Sequence, residues 1–414
     1  MPFSKPYRQP PLSPFVQTMQ SIAGTALSIT GAAPLVSLSY GDEMALKQKA
    51  ITEFFRKTRV EGDWEPLTPS PFSRLYRTTT KRRVVFAFGK FMLAMGEGPR
   101  GRSDETRDEA RLEPRQHTAL YEFLLGKLNE PLFSVVARRC NYLIVRGSYK
   151  EFCAIFNMHK LGPTVRRLRA LAQQLATVGV NVISSFVVLD PARSRYYIDK
   201  RETEDRLAVK KLFGPDTLRF EAAGRTYLYD ALSFSQINQS MVPLMLKKAA
   251  LLLDAANPAC AGARLVDLYC GYGLFTLYLG RHFAESWGMD CEAASIRRAR
   301  ESVAHCGDIP VTSRIRFAAG QITDRALEEV LPTAGDRPEL FVLDPPRRGT
   351  AAGVIGALAA RQPMRVLHIF CNIDIVPEGL LQWKREGFRT VRVVPLDMFP
   401  GTPNTEVMVL LEPG

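Results

Sequence analysis

Two side chains in the last fifth of this chain have the types that covalent catalysis needs: a thiol, Cys371, and a carboxylate, Glu406. Cys371 closes the apolar run RVLHIFC and is followed by Asn372, so a buried strand would deliver the sulfur to a sheet rim. A thiolate is a strong nucleophile where a lowered pKa or a nearby proton acceptor makes it available. Glu406 opens TEVMVLLE after the Pro/Gly loop of PLDMFPGTPN. A loop folded back across the sheet edge would bring that carboxylate to the same rim as a general base. A third group, Asp344 in LDPPRRG, ends another apolar run, and two prolines hold its turn rigid where open α/β sheets bind ligands. Each residue also has a plainer role open to it: a small core thiol, a solvated strand edge and a helix N-cap, respectively.

A cofactor loop stands upstream. LVDLYCGYGLF sets an apolar strand against a Gly-x-Gly turn, with a helix predicted from about Leu274; Gly271 and Gly273 lack a Cβ and let a ligand approach the backbone. The next strand ends at Asp290 in WGMD, about 20 residues on, where an acid can accept hydrogen bonds from both ribose hydroxyls. A third glycine at GxGxxG spacing is missing, so S-adenosylmethionine fits better than NAD.

These residues need a frame that brings them to one edge. From about residue 240, ARLVDLYC, ESWGMD, SRIRFAA, ELFVLD, RVLHIFC, RTVRVVPLD and TEVMVLLE alternate with helical segments. That alternation predicts βαβ units in a seven-stranded, doubly wound, Rossmann-like α/β sheet spanning residues 231–414. Residues 61–230 read as an α+β central domain: strands in RRVVFAFGKFMLAM, FSVVARRCNYLIVRGS, VNVISSFVVLD and RTYLYDALSF, and a helix around TVRRLRALAQQLATVG. Charged, turn-rich residues 96–116 predict an exposed loop. Residues 1–60 read as an irregular arm to about residue 40, then an amphipathic helix in YGDEMALKQKAITEFFRK.

The totals agree with a folded protein of two or three domains, at 46% hydrophobic and 23% charged residues. No apolar run spans a bilayer. Residues 22–38 are too Ser/Thr/Gly-rich for a good secretory signal, and seven scattered cysteines without a CxxC pair favour a reducing cytoplasm and no metal site. A net charge of +13 suits a polyanion, nucleic acid first. Lys81, Arg82, Arg83, Arg166, Arg167 and Arg169 are candidates for gripping phosphates, and a monomer is expected.

In order, GPDTLRFEAAGRTYLYDALSFSQIN, DLYCGYGLF, LDPPRRG, FCNI and DMFPGTPNTE resemble the motifs of the RNA uracil-5-methyltransferase family, whose members modify 23S ribosomal RNA or tRNA. The resemblance covers residues 210–412 well and YGDEMALKQK and PFSRLYRTTTKRRVVF more loosely. It implies Cys371 as nucleophile, Glu406 as base, and a cofactor-binding or site-organising role for Gln236, Tyr269, Asp290 and Asp344. Leu274 and Gln321 fall in cofactor positions where relatives carry a polar residue and an Asp. Phe370 and Ile373 replace the family's Ser and Pro beside the cysteine; Gly401 and Asn404 replace two histidines, and Thr405 a valine. The cysteine cluster of some ribosomal members is missing, so no iron–sulfur cluster is expected.

The implied reaction is methyl transfer from S-adenosylmethionine to C5 of a uridine, with 23S rRNA favoured, through a covalent bond from Cys371 to C6. C5 of uracil is too weak a nucleophile without that addition, and a stacked base must first be extruded. A tRNA substrate, or an RNA-binding or assembly factor with turnover lost, are the alternatives. Cytosine and amino-group methylation fit less well, because no Pro-Cys dipeptide is present and Arg347 rather than an aromatic follows Pro346.

Overall fold

The computed structural model describes residues 12–25, 27–95, 110–162, 164–193, 208–306, 314–333 and 337–414. The chain enters on a helix, Pro14–Ala23, where an irregular arm was expected. Ser13 caps it, Pro14 occupies the first turn, and Phe15, Thr18 and Met19 fall on one buried face. Three buried residues in ten are too few for a visible period, which is why the sequence reads as irregular. Tyr40–Thr58 is the expected amphipathic helix, capped by Ser39. A two-residue strand, β1 (Asp63–Trp64), follows, with Trp64 edge-on to Phe55 at 5.5 Å.

The central region holds a six-stranded sheet of β2 (Thr79–Ala87), β3 (Lys90–Ala94), β4 (Cys140–Gly147), β5 (Phe152–Met158), β6 (Val182–Leu189) and β7 (Ala208–Phe213), in the order β3-β2-β4-β5-β6-β7. Helices Arg115–Asn129 and Thr164–Gln173 cover one face. Strands β5 and β7 and the helix Arg115–Asn129 carried no clear sequence signal. β5 is buried at every position, so it shows no alternation. Of the charged stretch 96–116, residues 96–109 lie outside the described residues. β8 (Thr217–Ala222) and β9 (Arg225–Asp230) form a separate hairpin.

Seven further strands arise where the alternation predicted them: β10 (Arg264–Leu268), β11 (Glu285–Asp290), β12 (Arg314–Ala319), β13 (Glu339–Leu343), β14 (Arg365–Phe370), β15 (Phe388–Leu396) and β16 (Glu406–Pro413). Their sheet has eight strands among the described residues, β1-β15-β16-β14-β13-β10-β11-β12, because β1 adds a short parallel edge beside β15. β10 to β14 are mutually parallel; β16 runs antiparallel between β14 and β15.

Packing does not respect a boundary at residue 60 or 230. Phe15, Met19, Phe54 and Phe55 share one core with Val266, Leu268, Phe341 and Val409 of the large sheet. On its other side, Phe220, Tyr227 and Tyr229 of the hairpin pack with Tyr272, Leu274 and Tyr278, and that cluster continues into Ile155 and Phe186 of the central sheet.

Candidate active site

The rim of the large sheet is built from strand ends. β10 runs into the turn Tyr269–Gly273, in which Tyr269 and Gly271 take the left-handed conformation at φ 63° and 55° and Gly273 at φ 83°. A side chain is strained there, and only Tyr269 bears it. A Cβ on Gly273 would lie 2.9 Å from Phe317, so this glycine is required for the loop to seat; around Gly271 nothing lies within 4 Å. That open backbone, at the start of the helix Leu274–Leu279, is the cradle expected for a cofactor.

Three carboxylates surround it. Asp267 accepts from the Thr276 backbone N–H (2.8 Å) and hydroxyl (2.6 Å) on one oxygen, while its other oxygen is buried without a partner. Asp290 accepts from the Gly271 N–H (2.9 Å) and the Glu292 N–H (2.8 Å), so it shapes the glycine loop as well as facing it. Asp344 follows β13, its N–H bonded to the Leu268 carbonyl at 3.3 Å. Burial raises all three carboxyl pKa values, Asp267 to about 7; repulsion adds to it, from Asp290 at Asp267, from Asp267 and Asp290 at Asp344, and from Glu292 at Asp290. A pocket of this potential suits a positively charged ligand such as a sulfonium with its amino group. Asp267 was not singled out from sequence; lying inside a buried strand, it reads there as one polar residue among apolar ones.

Cys371 and Glu406 are brought together by strand register. Phe370 and Val407 form the last pair of the β14–β16 ladder, so Cys371, just past the end of β14, and Glu406, at the start of β16, meet at the same end of it, close enough for the Glu406 charge to bear on the thiol. The thiol points at the Pro345 carbonyl, 3.6 Å away. Glu406 is 4% exposed, and its Oε2 has no partner. Burial pushes the Cys371 thiol up to about 12, with Asp344 and Glu406 adding to the rise and Arg347 opposing it. Burial and Asp344 raise the Glu406 carboxyl, again against Arg347. Arg347, from the LDPPRRG turn, is therefore the cation that tempers both groups, a role its exposed-looking context concealed.

The fold-back loop rests on buried charge. Lys47 reaches Asp397 (2.7 Å), Glu43 (2.9 Å) and the Phe399 carbonyl (3.3 Å); Tyr40 donates to Asp397 (2.9 Å) and the Gly401 N–H to Glu43 (2.5 Å). Gly401 sits at φ 81°, and a Cβ there would be 2.8 Å from Leu112, so a histidine cannot occupy this position without moving its neighbours. Phe370 does not line the thiol's side: alternation turns it to the opposite face, where it stacks on His368 at 3.9 Å. It fills the space above Gly379, whose Cβ would collide with it at 2.5 Å. Ile373, Asn404 and Thr405 do border the small cavity beside Cys371, as do Ser13, Phe15 and Val16 of the first helix. That helix is tied on by the Phe15 N–H, which donates to Asp374 at 2.7 Å. Asn372 accepts from the Asp374 N–H and caps the following turn.

Gln236 is buried in the segment after the hairpin, which the central sheet holds in place: Arg146 donates to the Ala231 and Ser233 carbonyls and to the Ser235 hydroxyl, and Thr78 to the Ile237 carbonyl. Leu274 is buried and Gln321 exposed just past β12. Of the proposed phosphate grips, Arg82 is buried against Glu113 and lies over Tyr121, so its charge is spent inside; Arg166, Arg167 and Arg169 are exposed on one helix. Among the described residues no group of three or more His, Cys, Asp or Glu side chains is placed to hold a metal, and no helix is long and apolar enough to cross a membrane. All seven cysteines are free thiols.

A parallel sheet closed by an antiparallel final strand, with a glycine loop after its first strand and acids at the following ends, is the Rossmann-like fold of S-adenosylmethionine-dependent methyltransferases. The chain belongs to the tRNA (uracil-5-)-methyltransferase family, whose model matches residues 195–413. Its relatives include an uncharacterized RNA methyltransferase of Geobacter sulfurreducens, 27% identical over 91% of this chain and 74% of that protein. One from Streptococcus agalactiae is 22% identical over 92% and 82%. The fold is also that of the Pyrococcus abyssi tRNA (uracil-54, C5)-methyltransferase solved with S-adenosyl-L-homocysteine: TM-score 0.60, 20% identity, covering 92% of this chain and 86% of that one.

Proposed function

We propose that this RNA methyltransferase transfers a methyl group from S-adenosylmethionine to C5 of a uridine in 23S rRNA, with Cys371 as covalent nucleophile and Glu406 as base. The observation that carries the reading is the ladder of β14 and β16, whose end brings together a thiol and a buried carboxylate with one unpartnered oxygen, Oε2. S-adenosylmethionine supplies, when bound, an electrophilic methyl group. Gly271 offers it open backbone, Asp290 ribose acceptors, and Asp344 and Asp267 a negative field; Gln236, Tyr269, Leu274 and Gln321 complete the surround.

Cys371 releases its proton to water and its sulfur bonds to C6, as the C5–C6 π electrons move toward C5 and O4. C5 then carries the new methyl group beside its original hydrogen. Glu406 removes that hydrogen as a proton, the C5–C6 double bond re-forms, and the C6–S bond breaks. Arg347 favours the thiolate, and Asn372 stands beside it as a donor toward the ring. The enzyme works as a cytoplasmic monomer, and residues 61–230 supply RNA contacts to the catalytic unit of residues 231–414.

The basic central region favours ribosomal RNA. A tRNA target is the second reading, favoured by the fold shared over most of the chain with the P. abyssi enzyme. Nucleoside mass spectrometry of rRNA and tRNA from cells with and without the gene separates them: 5-methyluridine disappears from 23S rRNA in the first case and from tRNA in the second. Unchanged 5-methyluridine in both pools refutes the proposal.

A further inference from the structure

A second concave site lies on the central sheet, built by residues that the catalytic rim does not use. It has a volume of about 560 Å³ and is walled by β2, β3 and β4, by the end of the short helix Ser134–Ala137, and by the residues that follow β5 and β6. That volume is in the range of about 300–1,000 Å³ typical of small-ligand sites. Its polar wall holds Arg83, Arg138, Arg193 and His159, and among the residues lining it there is no carboxylate. Burial lowers the His159 pKa, and the charges of Arg193, Arg139 and Lys160 add to the fall. The His159 ring nitrogen lies 3.4 Å from the Arg193 guanidinium.

The other wall is aromatic. Tyr142 lines it from β4, with the Lys81 ammonium 5.1 Å from its ring. Phe86 lines it from β2 and is 65% exposed, held edge-on to Phe91 at 5.0 Å. Phe88, in the turn between β2 and β3, is 92% exposed. A soluble surface does not hold two phenylalanines in water next to a cluster of arginines by default; planar rings beside cations are the pattern on which single-stranded nucleic acid is held, bases on the rings and phosphates on the guanidinium groups.

We infer that this cavity accepts an unpaired nucleotide of the RNA substrate, outside the catalytic crevice, stacking its base against Phe86 and pairing its flanking phosphates with Arg138 and Arg193. The inference deepens the proposed function and rests on RNA being the substrate. Such a contact holds a strand that has left its helix, and so favours presentation of the target base to the rim.

The test uses the full chain and a fluorescein-labelled, mixed-sequence single-stranded RNA followed by anisotropy across a salt series. Phe86→Ala is expected to weaken binding by at least fivefold, the lower end of what one stacked base contributes. Arg138→Ala is expected to weaken it and to reduce the slope of log affinity against log salt by about 0.7, as for one phosphate on a single strand. Arg325→Ala, an exposed arginine on the helix Asp324–Val330 beside the large sheet, is the control and changes neither. Both target residues are exposed, so folding is retained, checked by circular dichroism. Wild-type affinity and slope in both variants overturn the inference, as does a loss no larger than the control's. Transfer of labelled methyl groups to rRNA and tRNA is measured in parallel. A wild-type protein that makes no 5-methyluridine while the variants still lose RNA affinity strikes the proposed function and leaves this site standing.

Discussion

Replacing Glu406 by Gln removes a base while keeping the shape of a buried side chain, and its effect can be worked out in advance. Burial and Asp344 raise this carboxyl from 4.5 to about 8. The carboxyl is then largely protonated at neutral pH and ionises in mildly alkaline solution, so wild-type turnover rises with pH. E406Q should lose a factor of about 10²–10⁴ in turnover and lose the step near pH 8 that Glu406 contributes, keeping only the rise that ionisation of Cys371 gives at higher pH. Its stability should not fall, because Oε2 has no hydrogen-bond partner to forfeit and the amide carries no charge to desolvate. The assay is release of tritium from 5-[³H]uridine RNA, made as a function of pH, with recovery of the protein–RNA adduct on a denaturing gel. Addition at C6 does not need the base but elimination does, so the adduct accumulates in E406Q. A variant that turns over within threefold of wild type and keeps the limb near pH 8 refutes the assignment of Glu406.

Three other outcomes are expected. Cys371→Ala should abolish adduct formation with 5-fluorouridine RNA, which wild type traps irreversibly; a trapped C371A protein would show that another nucleophile acts. Lys47→Met leaves Glu43 and Asp397 buried without their shared cation, at a cost of roughly 3–5 kcal/mol in urea unfolding, and loosens the loop before Glu406; a loss under 1 kcal/mol would show that the triad is not a support. The Asp267 pKa is raised in the fold, from 3.8 to about 7, so its contribution favours folding below pH 4 and is lost as pH rises through 7. Asp267→Asn should therefore stabilise the protein at pH 8, by at most about 4 kcal/mol at about 1.4 kcal/mol per unit, and do nothing at pH 3.5; equal effects at both pH values in denaturant melts would refute the buried-acid account.

The sequence by itself determined the periodic parts of this protein. Seven strands of the large sheet were legible because each is a short apolar run bounded by turn formers and separated by a helix. The glycine loop, the LDPPRRG turn, Cys371 and Glu406 were legible as types at particular strand ends, and resemblance gave them roles. What failed were segments whose burial is uniform or whose length is below one period: β5 is buried throughout, β1 has two residues, and the first helix buries three. Domain edges drawn at 60 and 230 follow composition, whereas the cores run through both.

Only the tertiary structure decided how the chemistry is assembled. The pairing of Cys371 with Glu406 depends on β16 entering antiparallel beside β14, a long-range register that no local pattern encodes. The loop that permits it is fixed by Lys47 and Glu43, some 350 residues earlier in the chain. Gly401 stands where relatives carry a histidine, and here the backbone takes φ 81° with Leu112 packed against it, so a side chain would be strained and would have to displace that leucine. Phe370 replaces a family serine beside the cysteine in sequence but faces the core, because neighbouring residues on a strand point to opposite sides of the sheet. Local physics writes elements and residue types into a sequence; which of them meet, and which charges are left facing each other without water, is set by packing across the whole chain.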